Sequence, residues 1–304
     1  MKLIERVLAA SVLAVAIVFG TTGAGLAADQ VLKPFVLASK GPGTVAEKVA
    51  AAKTSLAANG FTVVGAYSPY PDAEVIVVTS DELKANAAKS EHGGFGAIQR
   101  VAVTKVNNQV QVSFTNPVYM ANVYRMSGDL SGVRTKLETA LGKLQDFGAE
   151  GMTASAARKY HYMVGMEYFT EPSLLASYGS HEEAVQAVEK GLAAGKAGVT
   201  KVYRVDVPGT QEVVFGVAMK GATDAQKFMD DKYIMSEIDS KDVKSTAHLP
   251  YEVLVSGKDI FALYARFRIA IDFPDLSMMG KNSFMNIRKA PDAIRDALQQ
   301  TVSP

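Results

Sequence analysis

Two stretches of the chain are related: VLASKGPGTVAEKV at residues 36–49 and LLASYGSHEEAV at residues 174–185. Each has a short apolar run, a break that contains glycine, and then a helix-forming segment. Two residue pairs have capping-box spacing, in which a hydroxyl side chain and a glutamate three residues later cap a helix: Thr44 with Glu47, and Ser180 with Glu183. The two boxes lie 136 residues apart, so the sequence indicates an internal duplication.

Later landmarks recur in the same order. Asn116-Pro117 follows the first hairpin, and Phe273-Pro274 is placed at the matching point, 157 residues further on. Apolar residues of the closing helices match at the same offset: Ile287, Ile294 and Leu298 correspond to Leu130, Leu137 and Leu141. Because the offset rises from 136 to 157 residues, an insertion is expected in the loop between the middle strands of the second copy.

Each copy reads as strand, helix, two strands, hairpin and helix. We therefore predict an α+β fold of two similar modules, each a mostly antiparallel sheet with helices packed on one face. The predicted modules are residues 33–151 and, in diverged form, 173–304, joined by a connecting segment at 152–172. Residues 159–169 are predicted to form an extra strand, and residues 260–273 the last strand of the second hairpin.

The beginning of the chain has the pattern of a secretory signal. Lys2 and Arg6 precede an apolar run at residues 7–19, and small residues lead to a cleavage position after Ala27. We therefore expect residues 1–28 to be a signal peptide and the mature protein to be soluble and periplasmic. An uncleaved membrane anchor is the alternative, since this segment is almost long enough to span a bilayer.

The amino-acid composition argues against several classes of function. Without Lys2, Arg6 and Glu5, the chain has 30 basic and 30 acidic residues, so its formal net charge is zero. This balance argues against nucleic acid as a partner and against electrostatic attachment to anionic membranes. The chain has no cysteine, which excludes disulfides, thiol nucleophiles and zinc ribbons.

Four motifs of the first copy carry a resemblance to a known family: TVAEKVAAAKTSLAANGFTVVG at 44–65, VIVVTS at 75–80, QRVAVTKV at 99–106 and FTNP at 114–117. With them, most of residues 33–126 resembles the domain-of-unknown-function 302 family. The second copy is similar more loosely, mainly in its first helix and in PYEVLV at 250–255. The resemblance implies a small α+β fold and no agreed activity, so it brings no catalytic residues.

The candidate ligand site lies in the second copy. If residues 260–273 form a strand, Tyr264, Arg266 and Arg268 share one face of the sheet, and His248 lies just before the adjacent strand. Two arginines and a tyrosine on one face could hold a carboxylate, sulfate or phosphate by bidentate contacts. The alternative is a solvent-facing strand whose arginines pair with acidic residues across the sheet.

A second hypothesis is copper binding. His161, Met163 and Met166 offer imidazole and thioether ligands, which suit copper in a cell envelope. Further methionines could complete such a site: Met278, Met279 and Met285. The alternative is a strand in which methionine fills the core.

Enzymatic function has less support in the sequence. The glycine-rich stretch at 93–96 lacks the Lys-Ser/Thr of a phosphate loop, and no serine pairs with a histidine by spacing. Acidic residues at 230–231 and 237–242 are expected in solvated loops. We therefore predict a non-enzymatic protein without a cofactor that binds a small anionic ligand or a protein partner. An envelope copper protein and an enzyme of unrecognised type are the alternatives.

Overall fold

The computed structural model describes residues 30–161 and 164–303. The predicted signal peptide therefore lies outside the described residues. No helix within the described part is long and apolar enough to cross a bilayer. The predicted fold class is confirmed, because antiparallel sheets are combined with packed helices in an α+β arrangement.

The strands are numbered in chain order. In the first half (residues 30–161) they are β1 (Val31–Leu32), β2 (Phe35–Gly41), β3 (Thr62–Tyr67), β4 (Ala73–Thr79), β5 (Gln99–Val106), β6 (Gln109–Thr115), β7 (Gln145–Phe147) and β8 (Met152–Thr153). In the second half (residues 164–303) they are β9 (Ser173–Ser177), β10 (Val199–Val207), β11 (Glu212–Met219), β12 (Tyr251–Ser256) and β13 (Asp259–Ala262).

Helices are numbered in the same way. They are α1 (Val45–Ala58), α2 (Asp81–Ala87), α3 (Pro117–Val123), α4 (Ser131–Leu141), α5 (Ala154–Arg158), α6 (His181–Ala193), α7 (Asp231–Ile238), α8 (Ala265–Asp272) and α9 (Ala290–Val302). Short 3-10 turns lie at Gly93–Gly96, Lys196–Gly198, Asp224–Met229, Thr246–His248 and Phe284–Ile287.

The two main sheets have the same strand order. The first sheet runs β3-β4-β5-β6-β2-β7, and the second runs β10-β11-β12-β13-β9. Their pairings are antiparallel throughout. The five strands of the second sheet therefore match the first five of the first sheet in order, which is what a duplicated sequence predicts.

Local sequence accounts for the best-defined elements. The Thr44 hydroxyl accepts from the amide of Glu47, whose carboxylate accepts in return from the Thr44 amide at 2.8 Å. In the second half the Ser180 hydroxyl accepts from the Glu183 amide, but the Glu183 carboxylate turns to the amide of Gly179. The β5–β6 hairpin ends directly before Asn116-Pro117, as predicted, and Asn107 in its turn has a φ of 55°.

Helices cover one face of each main sheet, and the other face is directed toward the opposite half of the chain. Helices α1 and α4 cover the first sheet, and α6 and α9 cover the second. On the opposite faces β3 lies against β10, the turn Gly93–Gly96 lies on β11 and β12, and Thr246–His248 lies on β4, β5 and β6. Along β11 and β12 alternate residues join different cores, with Phe215 and Val253 under the helices and Val214 and Leu254 at the seam between the halves.

Two expectations about secondary structure are wrong, and one helix has no counterpart in the sequence-based prediction. Residues 260–273 do not form one strand, because β13 ends at Ala262 and helix α8 follows. The described residues of 159–169 form turns and irregular structure, so this segment is not an extra strand. The stretch after β4 contains helix α2, for which Ser80 supplies the N-cap.

Candidate ligand groove between the two halves

Helix α8 separates the residues of the predicted anion site. Because successive residues of a helix are rotated by about 100°, Arg266 and Arg268 point to nearly opposite sides rather than to one face. Arg266 lies on the outer side, where it donates to the Glu167 carboxylate at 2.6 and 3.1 Å. Tyr264 lies beside it and donates to Asp292 at 2.6 Å. The prediction of a shared sheet face is therefore wrong.

The other two residues, Arg268 and His248, are buried together. Arg268 donates to Asp272 at 2.9 Å and to the backbone carbonyl of His248 at 2.7 Å. Its Nε lies 3.4 Å from Glu252, which also binds Arg100 from the first sheet. Two arginines face two carboxylates, so this buried cluster is already balanced in charge. It stabilises the seam and leaves no spare positive charge for an anion.

His248 also meets the distance criteria of a catalytic histidine but not the requirement for access. Its Nδ1 donates to Asp272 at 2.7 Å, and the Tyr251 hydroxyl donates to its Nε2 at 3.1 Å. Burial lowers the pKa of His248 to about 4, although Asp272 acts in the opposite direction. The side chain is 0% exposed, so no substrate reaches it without a rearrangement of the seam. Arg266 does line a small cavity, but its volume of about 20 Å³ holds little more than one water.

The copper hypothesis stays a prediction. Met163 lies outside the described residues, and His161 packs against Tyr168 with ring centroids 4.5 Å apart. Met279 is exposed on the surface, and Met278 and Met285 are exposed to a smaller extent. Among the residues that the structure describes, no group of three or more His, Cys, Asp or Glu residues could hold a metal ion.

The structure shows a different candidate site, a groove of about 410 Å³ between the two halves. Three lysines line it: Lys105 at the end of β5, Lys232 on α7, and Lys244 in the following loop. The rest of its lining is formed by Tyr70, Pro71, Thr104, Met235, Ser236, Asp239 and Ser240. We call this the lysine groove. Within the described residues neither Lys105 nor Lys232 forms an ion pair, so no carboxylate oxygen lies within 4.0 Å of either ammonium group.

Hydrogen bonds across the seam hold the walls of the lysine groove. Gln111 of β6 donates to the Asp242 carbonyl at 2.8 Å and accepts from the Lys244 amide at 2.9 Å. This clamp fixes the backbone from which Lys244 extends. Thr246 bonds to the Tyr70 hydroxyl at 2.7 Å and to Thr104 at 2.8 Å, so both halves form one continuous wall.

A second groove of about 500 Å³ adjoins the first and shares three residues with it: Tyr70, Pro71 and Lys232. We call it the aspartate groove, because three acidic side chains line it: Asp72, Asp230 and Asp231. Lys220 is its remaining basic residue. Asp231 is 2% exposed, and its Oδ2 accepts from the Tyr67 hydroxyl and the Met219 amide, both at 3.1 Å. Its Oδ1 has no hydrogen-bond partner within the described part of the chain.

One carboxyl group in each groove titrates near neutrality. Burial raises the pKa of Asp231 to about 7, against the hydrogen bonds from Met219 and Tyr67. Burial also raises the pKa of Asp239 in the lysine groove to about 7, against the bonds from Ser245. The prediction that residues 230–231 and 237–242 lie in solvated loops is therefore wrong for Asp231 and Asp239. At pH 7 Asp239 is only partly charged, which leaves an excess of positive charge in the lysine groove.

Compared with protein-family models, curated proteins and solved structures, the chain gives no match. The resemblance to the domain-of-unknown-function 302 family therefore stays a prediction.

The sequence contains little signal for the three lysines, because Lys105 lies about 130 residues before Lys232 and Lys244 and meets them only at the seam. One signal was available. Lys105 precedes the Asn-Asn turn of a hairpin, and an insertion was expected in the middle loop of the second copy, where Lys232 and Lys244 lie. The sequence does not indicate which face of the first sheet contacts that loop.

Proposed function

We propose that the protein binds a small organic anion in the lysine groove and that it acts without catalysis. One observation carries this proposal: lysines from both halves line a single groove whose volume of about 410 Å³ is typical of small-molecule sites. Such sites are common at the interfaces between domains. The pattern of residues 1–28 supports a periplasmic location as part of the same proposal.

The lining favours an organic anion over an inorganic one. Tyr70, Pro71 and Met235 contribute apolar surface, while the ammonium groups supply the charge. Sulfate and phosphate have no apolar part to bury against these walls. A carboxylate on a short hydrocarbon chain or ring uses both kinds of contact, so it gains free energy from burial as well as from charge.

Isothermal titration calorimetry with hexanoate, benzoate and sulfate tests the proposal. We expect the two carboxylates to bind, and we expect sulfate to bind more weakly or not at all. In the triple variant Lys105→Gln, Lys232→Gln, Lys244→Gln, carboxylate affinity should fall at least about tenfold, since three charge-assisted contacts are lost.

A second triple variant is the matched control. Lys40, Lys89 and Lys190 are exposed and lie outside both grooves, so changing them to Gln removes the same charge elsewhere. Carboxylate binding should survive in this protein. Equal losses in the two triple variants would show that net charge, rather than the groove, attracts the anion and would refute the proposal.

A further inference from the structure

The two adjoining grooves differ in charge. Beyond the shared Lys232, the lysine groove has two further lysines and one carboxyl group, Asp239. The aspartate groove has one further lysine, Lys220, and three carboxyl groups. A molecule that extends past Tyr70 and Pro71 from one groove into the other therefore meets more lysines than carboxyl groups at one end and more carboxyl groups than lysines at the other.

The aspartate groove has two features that suit an ammonium group. The first is the Oδ1 of Asp231, a buried acceptor without a hydrogen-bond partner, although buried polar atoms are nearly always paired. The second is the pair of aromatic side chains, Tyr67 and Tyr70, that line the same groove. Carboxylates beside aromatic rings are a common environment for organic cations, because both stabilise positive charge.

The floor of the aspartate groove is held in place from both halves. Tyr67 of β3 donates to Asp231 on α7, and the Met219 amide of β11 donates to the same carboxylate oxygen. Asp72 at the rim is anchored to the first sheet, because its carbonyl accepts from the Lys105 amide at 2.8 Å. Asp72 and Lys105, which line different grooves, are thus fixed relative to each other by one hydrogen bond.

From this geometry we infer that the ligand is zwitterionic, with an anionic group in the lysine groove and an amine in the aspartate groove. The inference rests on the proposed function, since it assumes that the lysine groove binds the anionic group. It adds a second point of recognition, which selects amino acids with separated charges over simple carboxylates. The ammonium group pairs with the exposed Asp72 and stabilises the charged form of the buried Asp231 beneath the groove.

A matched series of small molecules tests the inference. We would titrate the protein with hexanoate, 6-aminohexanoate, adipate and 1,6-diaminohexane at the same ionic strength. We expect 6-aminohexanoate to bind about fivefold more tightly than hexanoate, the effect of one partly exposed ion pair. Adipate should not share this gain, because its second carboxylate meets the aspartates. 4-Aminobutanoate and 8-aminooctanoate should reveal an optimal separation of the charges.

The variant Asp72→Asn should remove the difference between 6-aminohexanoate and hexanoate. Asp275→Asn changes a carboxylate outside both grooves and should keep that difference. Proton release is a further readout, because an ammonium group next to Asp231 lowers the pKa of a carboxyl group that is partly protonated at pH 7. Titrations in buffers of different ionisation enthalpy measure that release.

The outcomes separate the two proposals. If hexanoate binds and none of the amino acids binds more tightly, the inference is wrong and the lysine groove remains an anion site. If neither hexanoate nor benzoate binds, the proposed function is wrong and the inference is overturned with it.

Discussion

The two sheets have one strand order but present opposite charges to each other. Arg100 is the second residue of β5, and Glu252 is the second residue of the corresponding strand β12. Both are buried, 2% and 3% exposed, and they pair directly across the seam. In a symmetric dimer of one module, both partners would carry the same residue at such a position. A duplicated chain allows each copy to change separately, so like charges need not meet.

Removal of one partner of the ion pair between Arg100 and Glu252 should have the strongest effect on stability. Arg100→Met leaves Glu252 buried with only the Arg268 Nε, 3.4 Å away. We expect the free energy of unfolding to fall by about 3 to 5 kcal/mol, as when one partner of a buried ion pair is lost. Urea denaturation measures the change.

The double variant Arg100→Met, Glu252→Met supplies the control. It keeps the balance between Arg268 and Asp272, so it should lose less stability than either single variant. If the double variant loses as much free energy of unfolding as the two single variants together, the ion pair does not couple the sheets.

Helices α2 and α7 offer a second comparison, since each begins with an aspartate. Asp81 is exposed, whereas Asp231 is buried with a pKa of about 7. The raised pKa means that the contribution of Asp231 to stability is fully present below pH 4 and is lost as pH rises through 7. In the unchanged protein this group should lower the free energy of unfolding by about 2 to 4 kcal/mol between pH 4 and pH 8. The variant Asp231→Asn should not show this decrease.

Thermal melting from pH 4 to pH 8 measures this difference, taken between the variant and the unchanged protein at each pH. The subtraction is needed because His248 contributes a pH dependence of stability with the opposite sign. Its lowered pKa gives stability that is present above pH 6.5 and lost as pH falls through 4. Asp81→Asn should leave the pH profile unchanged, and an equal effect of the two substitutions would contradict the assignment to Asp231.

A third comparison concerns two glycines of the first sheet. A Cβ on Gly65 of β3 would lie 2.3 Å from the Val202 carbonyl oxygen of β10, whereas one on Gly41 of β2 would meet nothing within 4 Å. Gly65→Ala should therefore cost about 1 to 3 kcal/mol by forcing the halves apart. Gly41→Ala should be nearly neutral. Urea denaturation that finds equal losses would show that the β3–β10 contact is looser than described.

The smallest expected effect concerns the two helix caps. Thr44 and Ser180 each accept an amide three residues on, so changing either to Ala should cost about 1 kcal/mol. Glu47→Ala frees the amide of Thr44, while Glu183→Ala frees that of Gly179. Similar melting temperatures for these two glutamate variants would show that both forms of the box stabilise equally, and a difference would rank them.

The parts of the fold that depend on neighbouring residues could be predicted from the sequence. The first hairpin ends where Asn116-Pro117 predicts, and two asparagines form its turn. Helix α8 was missed for a physical reason. Its sequence alternates between apolar and polar residues, and burial on nearly every side removes the amphipathic pattern by which a helix is recognised. The spacing of Arg268 and Asp272, four residues apart, was the one signal of a helix.

The candidate site could not be predicted in the same way. An interpretation that follows residues along one predicted strand finds groups that are close in the chain, such as Arg266 and Arg268. The grooves instead combine Lys105 with Lys244 and Tyr67 with Asp231, which come from different halves. Their proximity depends on how the two sheets dock, and docking depends on buried contacts such as the pair of Arg100 with Glu252.

The position of Glu252 has a consequence for biosynthesis. It follows Arg100 by about 150 residues, and the turn Thr246–His248 that covers the first sheet is made only shortly before it. At a translation rate of 5–20 residues per second, roughly 8 to 30 s pass between the two residues. A first sheet that folded within that interval would expose an apolar face with an unpaired arginine. The distance between the copies, rather than the size of either sheet, would then set how long that face stays uncovered.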